Sequence, residues 1–108
     1  MNINITARHF KAKDSLQKYT QQRLDILGKY NEDILHAEAI FFFDKPPINN
    51  KYCELIIKLK DKTLTAKELS DEFDKAVDKS FDKIEIQLQR YKDKHKTINH
   101  DSNKYKSI

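Results

Sequence analysis

Tyr52-Cys53-Glu54-Leu55-Ile56-Ile57-Lys58-Leu59-Lys60-Asp61-Lys62-Thr63-Leu64-Thr65-Ala66-Lys67 is the stretch that decides the fold. Cys53, Leu55, Ile57 and Leu59 alternate with mostly polar neighbours, and Leu64 and Ala66 resume the alternation beyond Asp61-Lys62. Two runs of period two joined by a short polar turn form a β-hairpin with one buried face. The turn lacks an Asn-Gly pair, so its type stays open. Outward toward the N-terminus, His36 to Phe43 is an apolar, aromatic run that reads as another strand. It must end at Asp44-Lys45-Pro46-Pro47-Ile48-Asn49-Asn50, because consecutive prolines supply no ladder donors.

Further out, Asn2 to Thr6 alternates Ile3 and Ile5 with polar residues and predicts a short strand. Asp14 resembles an N-cap, and Leu16, Tyr19, Thr20, Leu24, Leu27 and Tyr30 follow at helical spacing. Gly28, the only glycine in the chain, is placed as the C-cap. Beyond the hairpin, Ser70 is placed as the N-cap of a long second helix reaching about Lys94. The order is β-α-β-β-β-α. A helical crossover makes the first two strands parallel, and the others should be antiparallel. The expectation is an α+β domain over residues 1–95, a four-stranded mixed sheet with two helices packed on one face. Residues 96–108 are expected to be a disordered, polar, basic tail. If Ala39, Phe41 and Phe43 face the helices, Ile40, Phe42 and Ile56 lie on the opposite sheet face, which could stack bases or meet a protein; a register wrong by one, or scattered apolar cover, is the plainer reading.

The chain has 108 residues, 38% hydrophobic and 35% charged, which permits one modest core under a heavily charged surface. One Cys excludes an internal disulfide framework. Neither a run of about 20 apolar residues nor a secretory leader is visible, so no membrane partner is expected and the cytoplasm is the expected compartment.

The net charge of +4 is localised. Arg90, Lys92, Lys94, Lys96, Lys104 and Lys106 face only Asp93 and Asp101 in residues 90–108, while the preceding residues balance. On a wheel of about 100° per residue, Phe73, Val77, Ser80, Phe81, Ile84, Leu88 and Tyr91 form the apolar seam of the second helix. Asp74, Asp78, Asp82 and Glu85 form an acidic ridge; Lys75, Lys79, Lys83, Arg90 and Lys94 form a basic one. Opposite charges three or four residues apart support a helix by about 0.2–0.5 kcal/mol per pair. Such pairing does not require the signs to be segregated, nor base to continue beyond Glu85 where acid stops. A cationic helix end of this kind suits a polyanion.

Catalytic chemistry finds no support. His9, His36, His95 and His100 lack metal-ligand spacing, so no metal is expected. Cys53 lies in the inward strand register, as a small hydrophobe would. The carboxylates of the second helix occupy a convex face, where no pocket would tune a proton transfer. A single glycine provides no Gly-rich phosphate loop. The expectation is a non-enzymatic chain without a cofactor.

Asn4-Ile5-Thr6-Ala7-Arg8, then Tyr19, Arg23-Leu24 and Lys29-Tyr30, resembles the start of the hibernation-promoting factor and ribosome-associated inhibitor family. Asp82-Lys83-Ile84-Glu85-Ile86-Gln87-Leu88, continuing to Lys92-Asp93-Lys94, is similar to that family's D-K-L-E-R-Q-L-x-K-x-K signature. Asp71, Phe73 and Ala76-Val77-Asp78 resemble its D-M-Y-x-A-I-D lead-in. The resemblance implies a translation inhibitor of the small ribosomal subunit, contacting ribosomal RNA in the messenger and transfer RNA channel. It carries over Arg23 and Lys29 on the first helix and Lys83, Arg90, Lys92 and Lys94 on the second. Lys75 and Lys79 extend that face by the wheel alone. Ile86 departs from the signature's arginine, and Ile26 from a position where lysine is common. A second, dimerising domain as in the family's long forms is not expected, so the chain is expected to be a monomer off the ribosome. The alternative is a generic RNA-binding or protein-interaction module not tied to ribosomes.

Overall fold

The computed structural model describes the backbone of residues 1–100 and the side chains of residues 1–94. Six elements follow in the expected order: β1 (Asn2–Ala7), α1 (Asp14–Lys29), β2 (Ile34–Phe43), β3 (Lys51–Leu59), β4 (Thr63–Ser70) and α2 (Phe73–His100). The sheet order is β1-β2-β3-β4. β1 pairs parallel to β2, while β2–β3 and β3–β4 are antiparallel. The α+β architecture inferred from the hairpin is therefore the architecture observed.

Burial follows from strand alternation. Ala37, Ala39 and Phe41 of β2, Cys53, Leu55 and Ile57 of β3, and Leu64 and Ala66 of β4 share the helix-facing side. α1 adds Leu24 and Leu27; α2 adds Ala76, Val77, Phe81, Ile84 and Leu88. Ile40, Phe42 and Ile56 lie on the opposite face, as the register requires. Ile40 is buried there, and Phe42 stacks on Tyr52 with centroids 4.6 Å apart.

Several boundaries differ from expectation. Asp14 is the first helical residue and Lys13 the N-cap, which makes no side-chain capping bond. Gly28 lies inside α1; the helix closes at Tyr30, whose N–H donates to the Ile26 carbonyl at 3.2 Å. Tyr30 leaves the apolar stripe and is 67% exposed. Ser70 belongs to β4, because the strand continues pairing until Lys51 meets Ser70. The first α2 turn is closed by the Ala76 N–H donating to the Glu72 carbonyl at 3.1 Å. α2 also extends to His100, so residues 96–100 of the expected tail are helical. The rest of that tail, 101–108, lies outside the described residues.

Candidate nucleic-acid interface

The two charged ridges of α2 point to different neighbours. The basic ridge leans over β4, the sheet edge. Lys79 Nζ donates to the Leu69 carbonyl at 3.2 Å, Gln87 Nε2 donates to the Thr65 carbonyl at 2.8 Å, and Lys83 pairs with Glu68 at 2.7 Å. The acidic ridge turns toward α1. There Asp78 accepts from the Tyr19 hydroxyl and from Arg23 Nη1, the latter at 2.9 Å. The Arg23 guanidinium also lies 4.5 Å from the Phe81 ring centroid. The Asp78 hydrogen bond raises the Tyr19 hydroxyl pKa, because ionised tyrosine could not donate.

The eight sequence-predicted cations thus separate into two groups. Arg23, Lys75 and Lys83 have carboxylate partners within the protein, while Lys79, like Lys92, donates to a backbone carbonyl. Lys75 lies 3.5 Å from Asp71 and 3.6 Å from Glu72; these carboxylates raise its pKa. Such exposed pairs contribute little to stability and are readily exchanged for another anion. Lys29, Arg90, Lys92 and Lys94 have no carboxylate partner within salt-bridge distance among the described residues. They gather at the C-terminal end of α1 and the later turns of α2. Lys92 Nζ donates to the Tyr30 carbonyl at 3.1 Å and ties the two helix ends together. Lys29 and Lys92 flank a recess of about 390 Å³, which Glu32 and Asp33 also line.

Ile26 and Ile86 are 55% and 53% exposed, so apolar surface stands at both departures from the resembled signature. The wheel placed the cations by face. It missed their acceptors, Asp78, Glu68 and the Tyr30 carbonyl. Opposite charge on separate elements was the available signal, but its pairing needed the tertiary register.

Among the described residues no cluster of metal-ligating side chains occurs. Burial pushes the Cys53 thiol up to about 12, which leaves it protonated and inert.

The model of the family described as sigma 54 modulation protein / S30EA ribosomal protein matches residues 3–96. The chain belongs to that family. Membership in the S30EA family makes it a ribosome-associated factor rather than an enzyme. Among solved structures, a ribosomal subunit interface protein from Coxiella burnetii is 28% identical, with a TM-score of 0.77 over 85% of this chain and 98% of that one. The Protein Y N-terminal domain of Thermus thermophilus shares the fold at 22% identity, with a TM-score of 0.71 over 84% of this chain and 99% of that one. No curated protein matches the sequence. No helix of the described residues is long and apolar enough to cross a membrane.

Proposed function

We propose that the chain is a cytoplasmic hibernation factor that binds the small ribosomal subunit and inhibits translation by occupying the RNA-walled channel for messenger and transfer RNA. The observation carrying this reading is the S30EA family match over residues 3–96, which spans the α1 and α2 cations. Lys29, Arg90, Lys92 and Lys94 are the primary phosphate contacts, since each is exposed, has no carboxylate within salt-bridge distance among the described residues, and lies toward the end where α1 and α2 are tied together. Arg23, Lys75, Lys79 and Lys83 contribute on exchanging a weak internal partner for phosphate. Cations also suit the negative end of a helix dipole, so α1 ends on Lys29 at little cost.

The test combines Arg90→Glu, Lys92→Glu and Lys94→Glu. All three side chains are exposed and off the apolar seam, so the circular dichroism should stay unchanged and the urea midpoint should fall only slightly, through loss of the Lys92–Tyr30 bond. Co-sedimentation with small subunits should fall at least tenfold, and the remaining binding should depend less on salt, by about 0.7–0.9 log units per lost phosphate contact. Unaltered co-sedimentation rejects the reading. Displacement of the wild-type protein from ribosomes by excess duplex RNA would favour a generic RNA module instead.

A further inference from the structure

At the opposite end of α2 is an aromatic cleft that the primary ribosomal contacts, Lys29, Arg90, Lys92 and Lys94, do not use. Three distant segments build it. Phe10 comes from the β1–α1 loop, Phe43 ends β2, and Phe73 opens α2. Phe10 stacks on Phe73, with centroids 5.0 Å apart and planes 11° apart, and meets Phe43 edge-on at 5.4 Å. His9, immediately before Phe10, has φ of 66°, a left-handed conformation uncommon outside glycine. The loop therefore accepts a sparse backbone state at the residue that delivers Phe10.

The Phe10–Phe73 pair separates two adjoining recesses, of about 580 and 370 Å³. Both fall within the roughly 300–1,000 Å³ typical of ligand sites. The second recess exposes apolar surface, with Phe43 42% and Ile48 58% accessible. The first recess carries lysines and carboxylates in equal number, Lys11, Lys13 and Lys51 against Glu72, Asp74 and Asp78. None of these lysines meets a carboxylate within salt-bridge distance among the described residues. Lys51 reaches only the Asn49 side-chain oxygen, at 2.9 Å. The carboxylates opposite are largely committed: Asp78 to Arg23 and Tyr19, Glu72 to Lys75. Asp74 is the uncommitted one, and a carboxylate accepts hydrogen bonds from exocyclic base amines.

Aromatic side chains beside unpaired lysines match the chemistry of an unstacked base with its flanking phosphates. We infer that this cleft binds single-stranded RNA, placing a splayed base against the Phe10–Phe43–Phe73 cluster and phosphates on Lys11, Lys13 and Lys51. An apolar polypeptide would cover the aromatic surface but leave three lysines without partners. The inference rests on the proposed ribosomal reading only for the source of that RNA. The cleft is separate from the primary ribosomal cations at the far end of α2, since Phe73 and Arg90 stand about 26 Å apart along the helix, whereas Lys75 and Arg23 reach its edge through Glu72 and Asp78.

The intact chain is tested with a fluorescein-labelled, single-stranded RNA 12-mer of mixed sequence bearing 5-iodouracil. Photo-crosslinks should map to Phe10, Phe43 or Phe73. Lys11→Ala combined with Lys13→Ala should flatten the log-affinity against log-salt slope by about 1.4, at about 0.7 per phosphate contact on a single strand. Phe43→Ser, at a half-exposed ring, should weaken binding at least fivefold and leave that slope unchanged. The crosslinks should persist in the Arg90→Glu, Lys92→Glu, Lys94→Glu variant even where its ribosome binding is lost. Crosslinks confined to the later turns of α2, equal binding by wild type and both cleft variants, or no binding at 50 mM salt would overturn the inference. Failure of the wild-type chain to sediment with ribosomes would overturn the ribosomal reading alone.

Discussion

Gly28 shows how one residue can carry the right chemistry for the wrong reason. A glycine two residues before the end of an apolar stripe suggests a left-handed cap. In the structure it is an ordinary helical residue, and the chain has no glycine at positive φ. Its missing side chain instead leaves room for the end of Met1. A Cβ added at Gly28 would lie 2.5 Å from Met1 Cε and 2.9 Å from Met1 Sδ. Met1 is 49% exposed and its thioether end can swing aside. Gly28→Ala should therefore raise stability by about 0.5–1 kcal/mol, the helix propensity difference. Urea denaturation measures it; a lower midpoint would mean that the Met1 contact cannot yield. Ser70 erred in the opposite direction, because a hydroxyl just before a helical stripe fits a cap while the last β4 pair exists only between strands.

At the scale of elements, α2 is anchored more firmly to the sheet than to α1. Beyond its apolar seam, it bonds β3 through buried Ser80, whose hydroxyl donates to the Cys53 carbonyl at 2.7 Å. Ser80→Ala removes that donor and leaves a buried carbonyl with less satisfaction, so it should cost about 1–2 kcal/mol of unfolding free energy. Thermal or urea unfolding reads that loss directly, and no measurable change would remove Ser80 as an anchor. The seam was legible because periodicity is local: Phe73 through Tyr91 recur at helical spacing wherever the helix docks. The Ser80–Cys53 bond was not, since nothing local pairs a helix serine with a strand backbone. The same holds for the aromatic cleft. Phe10, Phe43 and Phe73 are thirty or so positions apart in the sequence, and only the common end reached by β2 and both helix starts unites them.

Across the whole molecule, protons on several neutral donors help hold the fold. Tyr19, Tyr52 and Tyr91 donate to Asp78, Asp44 and Asp61, and each hydroxyl pKa is raised mainly by that hydrogen bond. Burial raises Cys53 from 9.0 to about 12. A raised pKa means that the folded chain holds its proton more tightly than the unfolded one. The associated stability is complete below the unfolded pKa and is lost as pH rises toward the folded value. Stability should therefore fall above about pH 9 and more steeply beyond 10. Cys53→Ala should flatten the part between 9 and 12, as followed by urea unfolding at successive pH values; an unchanged limb would assign the loss to the tyrosines alone.

The α+β plan and charge segregation were readable from alternation and helix phase. Which cations stay available was not, because Asp78 and Glu68 claim theirs across the fold. That distinction bears on the outer margin of β4. There, Lys79 and Gln87 occupy carbonyls that a foreign strand would otherwise recruit, and the Lys83–Glu68 pair adds charge beside them. Reversing charge at Lys79 would free the Leu69 carbonyl, unseal this margin and invite clumping of the protein. Missing ribosome signal from such variants could then reflect material lost as aggregate, an artefact that substitutions nearer the α2 terminus avoid.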